Sequence, residues 1–174
     1  MLPGQALHKP VKTANRTVIR KSIFWVKDNE DDQRFFVEAV KEIDQSICIY
    51  MAKNGREALD QLGSMSPLRD IIFMDINMSL MNGFGYLTLL KKHVHLKIIP
   101  VVILTRSNNP AETEVARELG AIFLLIEPSD PRLLKNNIRD ILNLYQKNYV
   151  HVVIPFLQES MGPHIIPLLK ERYN

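Results

Sequence analysis

The sequence predicts a single α/β domain in which five parallel strands alternate with five helices. From Ser22 onward, short runs rich in Ile, Val and Phe alternate with longer mixed segments, which is the pattern of βα units. The runs mostly lack polar alternation, as expected of strands covered on both faces. Right-handed crossovers then place helices on both faces of an open sheet. Any ligand site is expected at the carboxyl ends of the strands.

Each predicted element follows from a local pattern. The strands are predicted from five apolar runs: Ile23–Val26, Ile47–Ala52, Ile71–Met74, Ile99–Leu104 and Ala121–Ile126. Between the runs, apolar residues recur three or four positions apart: Phe36, Val40 and Ile43; Ala58 and Leu62; Leu87, Leu90 and Val94. A final helix is predicted from Asp130, with an apolar face made by Leu133, Leu134, Ile138, Ile141, Leu142 and Tyr145.

Length and composition favour one folded domain with tails. The chain has 174 residues, of which 46% are hydrophobic and 24% charged, as in soluble globular proteins and unlike disordered chains. The apolar runs are far shorter than the ~20 residues that span a bilayer. We also expect no secretory signal, because the first residues lack a basic start followed by an apolar stretch. The single Cys48 cannot form an internal disulfide, which is consistent with the cytoplasm.

Charge and proline content divide the chain into three segments. Residues 1–21 carry five basic side chains and no acidic one, and we predict a flexible basic arm that could also touch an acidic partner. Residues 22–147 form the folded domain. Residues 148–174 combine the apolar stretch Tyr149–Phe156 with Pro155, Pro163 and Pro167, which indicates an appendage that packs on the domain or on a second subunit. This extension has no net charge and no helix-turn-helix pattern, so DNA binding is not expected.

Polar residues stand where four predicted strands end. Asp28 follows the first strand, Asp75 ends the third, Thr105 ends the fourth and Glu127 follows the fifth. Carboxylates at neighbouring strand ends suit Mg²⁺, beside which Asp75 could attack phosphorus as a nucleophile. Each residue also has an ordinary alternative. Asp75 could cap its loop, Asp28 could be the N-cap of the first helix, and Thr105 could be a plain strand-end residue.

Two acidic residues at the start of the first predicted helix are explained by the helix itself, without a role in the strand-end site. Asp31 and Asp32 fall in its predicted first turn, where negative side chains interact favourably with the helix dipole. We therefore assign them no role in the site.

The order and spacing of these motifs resemble a response-regulator receiver domain over about residues 22–147. The stretches that carry the resemblance are Val26-Lys27-Asp28-Asn29-Glu30-Asp31-Asp32, Phe73-Met74-Asp75-Ile76-Asn77-Met78, Met81-Asn82-Gly83-Phe84, Val102-Ile103-Leu104-Thr105, Gly120-Ala121 and Glu127-Pro128. The resemblance implies a flavodoxin-like sheet with strand order 2-1-3-4-5.

The resemblance also implies a function. A sensor histidine kinase or phosphotransfer protein would pass phosphate to Asp75, and the domain would signal through protein contacts. Mg²⁺ would be held by Asp28, Asp75 and the backbone carbonyl of Asn77, while Thr105 would contact the phosphoryl group. Such a domain is not an enzyme beyond catalysing its own phosphorylation and dephosphorylation. The alternative is a phosphorylation-independent pseudo-receiver that serves as an interaction module.

Two positions depart from the family pattern in opposite senses. Lys27 stands where the family usually has an acid, and Glu127 stands where it usually has a lysine. The exchange keeps the total charge but reverses its distribution. An ammonium group beside a divalent cation is repulsive, so we expect Lys27 to weaken Mg²⁺ binding. We predict that Lys27 reaches Asp75, Glu127 or both.

Overall fold

The computed structural model describes residues 21–65, 69–146 and 162–168. The strands are β1 (Ser22–Val26), β2 (Cys48–Ala52), β3 (Ile71–Asp75), β4 (Val101–Thr105), β5 (Phe123–Ile126) and β6 (Ile165–Pro167). The helices are α1 (Glu30–Ile43), α2 (Gly55–Ser64), α3 (Gly83–Lys92), α4 (Pro110–Glu118) and α5 (Pro131–Gln146). Most of the predicted arm and the stretch Tyr149–Phe156 lie outside the described residues.

The sheet has the order β2-β1-β3-β4-β5-β6. The first five strands pair in parallel, which confirms the predicted α/β class and the order 2-1-3-4-5. The predicted count of five strands was wrong, because β6 adds an antiparallel edge strand to β5. The prolines near residue 165 argue against a central strand, and β6 is consistent with this because a three-residue edge strand tolerates Pro167.

Asparagine begins four of the helices. The side chains of Asn29, Asn54, Asn82 and Asn109 each accept a hydrogen bond from a backbone N–H in the first turn of α1, α2, α3 and α4. Such caps satisfy N–H groups that lack partners inside the helix. They fix where each helix starts after the strand before it. The suggested capping role of Asp28 was wrong, since Asn29 caps α1.

Two apolar clusters cover the two faces of the sheet. On one face, Trp25, Phe36 and Phe73 pack with the buried side of α5. On the other, Tyr86 and Leu90 pack against the sheet together with residues of α2 and α4. The helices of both layers hold the strands, and the carboxyl ends of the parallel strands meet along one edge.

The end of α3 differs from the prediction. The helix stops at Lys92, and the C-cap His93 is extended, so Val94 does not continue the apolar face. Val94 is 70% exposed. Its four-residue spacing from the buried Leu90 suggested a helical turn that the chain does not make.

Candidate functional site

The residues predicted from the strand ends lie around the carboxyl edge of the sheet. Asp75 is the last residue of β3 and is paired in register with Leu104 of β4. Lys27 follows β1, and Glu127 follows β5. The parallel register carries their backbones to one edge because all these strands run in the same direction.

Asp75 is buried, and its two carboxylate oxygens have different partners. Oδ1 accepts a hydrogen bond from the backbone N–H of Asn77 at 3.1 Å. Oδ2 forms an ion pair with the ammonium group of Lys27. Gly83 at the start of α3 comes so close that an added Cβ would lie 2.5 Å from the carbonyl oxygen of Asp75. This glycine therefore lets α3 begin directly against the backbone at the end of β3.

Lys27 is a buried cation held by two acids. Besides Asp75, its Nζ lies 3.2 Å from Oδ2 of Asp32, and its side chain is only 8% exposed. Burial by itself would lower the pKa of Lys27. The hydrogen bonds and charges of Asp75 and Asp32 outweigh it and hold the pKa above its ordinary value. Lys27 therefore remains charged at neutral pH.

A second cation, Arg106, joins Asp32 to Glu127. Its guanidinium group lies 3.1 Å from Oδ2 of Asp32 and 3.0 Å from Oε2 of Glu127. The five side chains form a line of alternating charge, ordered Asp75, Lys27, Asp32, Arg106 and Glu127. We call this line the charge chain.

The charge chain corrects one of the sequence interpretations and agrees with another. Asp32 contacts both cations, so the role confined to the helix dipole was wrong. The predicted contact of Lys27 with Asp75 is present, whereas Glu127 pairs with Arg106. Arg106 was missed, although its position directly after Thr105 at a strand end was a usable signal.

Burial raises the pKa of Glu127 above its ordinary value, although the hydrogen bond from Arg106 acts in the opposite direction.

Thr105 connects the site to α4. Its side chain is buried, and its hydroxyl oxygen accepts a hydrogen bond from the backbone N–H of Ser107 at 3.0 Å. The same hydroxyl donates to Oε2 of Glu112, in the first turn of α4, at 3.4 Å. A shift of Thr105 toward Asp75 would therefore release a carboxylate on α4.

Asp28 faces the loop that follows β3. Its Oδ2 accepts a hydrogen bond from the backbone N–H of Ser79 at 2.9 Å. This contact ties the end of β1 to the loop that carries Asn77, which is exposed. Leu80, which follows Ser79 in that loop, has a φ of 65° and is 91% exposed.

Comparison with known proteins identifies the family. Residues 23–139 match the family model of the response regulator receiver domain. This chain belongs to the response regulator receiver family. The receiver fold was therefore correctly inferred from the strand-end motifs, and Asp75 stands at the end of the third strand of that fold.

Several curated proteins are similar in sequence to part of this chain. A probable cyclic di-GMP phosphodiesterase of Vibrio cholerae is 30% identical over 142 residues, which cover 76% of this chain and 31% of that protein. The chain spans between 30% and 47% of the length of the curated relatives it matches. The longer relatives include methylesterases and a phosphodiesterase, so their names describe proteins larger than this receiver.

Solved receiver structures have the same fold. The phosphorylated cyanobacterial phytochrome response regulator RcpA has a TM-score of 0.68 and 25% identity, covering 74% of this chain and 96% of RcpA. The Mn²⁺-bound form of the response regulator Rcp1 has a TM-score of 0.65 and 26% identity, covering 72% and 94%. Among the described residues of the receiver, no helix is long and apolar enough to cross a membrane.

The side chains of this receiver do not fit a divalent cation in the expected place. The expected donors are Asp28, Asp75 and the carbonyl of Asn77, but Lys27 already occupies Oδ2 of Asp75. Within the described ranges, no group of three His, Cys, Asp or Glu side chains is arranged to hold a metal ion. In other proteins, two carboxylates and water molecules can be enough to bind Mg²⁺. In this receiver, the buried ammonium group of Lys27 is paired with one of the two carboxylates, that of Asp75.

Proposed function

We propose that this chain is a phosphorelay receiver in which Asp75 accepts a phosphoryl group from a sensor histidine kinase or a phosphotransfer protein. One observation carries the proposal: Asp75 is a buried carboxylate at the end of β3 with a cation on one oxygen and a backbone N–H on the other. That arrangement orients a carboxylate nucleophile and supplies positive charge beside it. Membership of the receiver family supports the same role.

Thr105 is proposed to transmit the change. A phosphoryl group on Asp75 brings new acceptor oxygens that compete with Glu112 for the Thr105 hydroxyl. Loss of that bond would free the first turn of α4, so the output would be a changed surface read by a protein partner. This output needs no turnover of a separate substrate, so the receiver would act as a switch rather than an enzyme.

Mg²⁺ at the family's position between Asp28, Asp75 and Asn77 is proposed to bind at most weakly, because Lys27 already pairs with Asp75 there. The Mn²⁺-bound structure of Rcp1 supports a metal site in a related receiver. In this chain, a metal ion must displace or approach the ammonium of Lys27, and the two positive charges repel each other. Weak binding is the expected consequence.

The cellular location and the oligomeric state of the receiver are also proposed. We propose a cytoplasmic location without membrane or DNA contact and a homodimer formed through residues 148–174. The dimer would bury the apolar stretch that follows residue 148. Sedimentation of the full chain and of a chain ending at Lys147 tests this point. A dimer that persists in the shorter chain would exclude the extension as its interface.

A second function has one specific observation in its favour. The ion pair with Lys27 already neutralises Asp75, so the domain could be fixed in one conformation and act as a phosphorylation-independent interaction module. Family membership does not favour this candidate over the phosphoacceptor.

Phosphorylation by a small-molecule donor separates the two candidates. Full-length protein is incubated with acetyl phosphate and its intact mass is followed. We expect one added phosphoryl group in the wild type and none in Asp75→Asn. Asp60→Asn, which changes an exposed aspartate on α2, serves as the matched control and should behave as the wild type. An unmodified wild type would favour the interaction module.

A further inference from the structure

We propose that the Lys27 ammonium is the resident cation of this site and that Asp75 accepts a phosphoryl group without a divalent metal ion. This inference rests on the proposed function, because it concerns the same transfer to Asp75. It starts from the disagreement between the expected metal donors and the observed contacts. The donors are present, but one of the two carboxylate oxygens of Asp75 is already paired with Lys27.

Lys27 is held in place by its backbone as well as its side chain. Its N–H donates to the carbonyl oxygen of Ala52 in β2 at 3.0 Å, and its own carbonyl oxygen accepts a hydrogen bond from Nε2 of Gln33 in α1. The side chain is 8% exposed and ends between two carboxylates. A solvated lysine could swing away from an arriving metal ion, but this one would have to leave a buried site with two anionic partners.

The contacts of Asp32 and Asp28 also favour an ammonium group over a metal ion at this site. Asp32 supplies the ammonium with a second carboxylate, which a metal ion at Asp28 and Asp75 would not need. Oδ2 of Asp28 is engaged by the backbone N–H of Ser79. The side chains are therefore arranged around an ammonium group at Lys27.

The two carboxylate oxygens of Asp75 can have different roles in the phosphoryl transfer. Oδ2 carries the ammonium, whereas Oδ1 accepts a single N–H from Asn77 among the described contacts and keeps a lone pair for attack. A fixed ammonium beside the carboxylate also lies beside the charge that arrives with the phosphoryl group. Lysine is a compact point charge suited to phosphate oxygens.

The chemical step balances without a metal ion or a proton transfer. Oδ1 of Asp75 attacks the phosphorus of acetyl phosphate, and a new oxygen–phosphorus bond forms. The phosphorus–oxygen bond to the acetyl group breaks, and acetate leaves with the bonding electron pair. Lys27 keeps its protons throughout and pairs with the acyl phosphate as it paired with the carboxylate.

Metal binding provides a readout independent of phosphorylation. Mg²⁺ and Mn²⁺ are titrated into full-length protein and followed by calorimetry and by the fluorescence of Trp25, the single tryptophan, which precedes Lys27 by two residues. We expect no saturable binding to the wild type over the range that saturates Lys27→Asp, with affinities at least about tenfold apart. Lys53→Met removes an exposed lysine paired with Glu30 and is the matched control, expected to match the wild type. Saturable wild-type binding as tight as that of Lys27→Asp would overturn the inference.

Phosphorylation rates with and without metal provide the second readout. With acetyl phosphate, wild-type protein should gain the phosphoryl group at the same rate in EDTA and in Mg²⁺. Lys27→Met should lose about a hundredfold in EDTA, because the cation at the developing charge is gone. Lys27→Asp should react only in Mg²⁺. Lys27→Arg keeps a charge at this position and should retain part of the rate in EDTA.

The outcomes distinguish this inference from the proposed function. If wild-type protein reacts only in Mg²⁺, the inference is wrong while Asp75 remains the acceptor. If it is inert under both conditions while Lys27→Asp reacts in Mg²⁺, Lys27 blocks the site, the inference is wrong, and the wild-type protein is the interaction module rather than a phosphoacceptor. If neither protein is modified at Asp75 under any condition, both the inference and the proposed function fail. The decisive comparison uses the wild type, so it stands even if a variant folds poorly.

Discussion

At the scale of single residues, Glu127 couples the charge chain to pH. Burial raises its pKa above the ordinary value of 4.5, against the opposing hydrogen bond from Arg106. The folded protein therefore takes up a proton at a pH where the unfolded chain has released it. As the pH falls toward 4.5 through the raised pKa, this uptake stabilises the folded state. As the pH rises through the same range, that contribution is lost.

Glu127→Gln should remove this contribution. Between about pH 7 and pH 5, the free energy of unfolding of the wild type should gain on that of Glu127→Gln as the pH falls. Urea unfolding at several pH values measures the difference. Glu118→Gln, at an exposed position on α4, is the matched control and should follow the wild type. A wild-type curve parallel to that of Glu127→Gln would contradict the account of this residue.

Lys27→Met should destabilise the fold. The substitution keeps an apolar stem but leaves the buried carboxylate of Asp75 without its cation, which should lower the free energy of unfolding by about 1.5–3 kcal/mol. Lys53→Met breaks an exposed ion pair and should have a much smaller effect. Denaturant unfolding of both variants at neutral pH gives the comparison. Equal losses would mean that the buried ion pair adds nothing special.

The residues of the site were predictable to the extent that strand position determines them. Asp75 and Thr105 end apolar runs, and Lys27 follows one, so their meeting at one edge follows from parallel pairing. The charge chain was not predictable, because Arg106 reaches Asp32 across 74 positions of sequence. The reach of an exposed guanidinium depends on side-chain rotamers that no local pattern specifies.

At the scale of secondary structure, β6 and Leu168, the residue directly after it, complete both apolar clusters. Ile165 is buried on the face that holds α1 and α5, and Leu168 is buried on the opposite face. Leu168 also donates its backbone N–H to the carbonyl oxygen of Ile122 at 3.0 Å. The short strand therefore covers the edge of β5, and the side chains of Ile165 and Leu168 extend the apolar clusters on the two faces of the sheet.

Leu168→Ala should show that β6 is an integral part of the fold. Removing this buried side chain should lower the free energy of unfolding by about 2–4 kcal/mol. Leu133→Ala provides the control, since Leu133 on α5 is 44% exposed and should change stability little. Chemical denaturation measures both. A loss for Leu168→Ala no larger than that of the control would show that the strand is only loosely attached.

The sequence predicted the five parallel strands but not the edge strand β6. The parallel strands are continuous apolar runs, and their limits were predicted to within a few residues. β6 was missed because its pattern is short and contains Pro167, and its pairing partner β5 lies about forty residues earlier. Edge pairing of this kind depends on tertiary contacts rather than on the local sequence.

At the scale of the whole molecule, residues 148–174 should contribute to the stability of the receiver. A chain ending at Lys147 lacks β6 and exposes the edge of β5 together with apolar residues of both clusters. We expect a lower midpoint of thermal unfolding than in the full chain, because the buried area of Ile165 and Leu168 is lost. Calorimetry of both chains at equal concentration measures the shift. An unchanged midpoint would contradict the integral role of β6.

The phosphoacceptor role of Asp75 is tested most directly by locating the modified residue. After reaction with acetyl phosphate, borohydride reduces an aspartyl phosphate to homoserine, and peptide mass analysis identifies the position. Homoserine is expected at Asp75 in wild-type protein. Homoserine at another aspartate, or none at all under conditions that modify a control receiver, would contradict it.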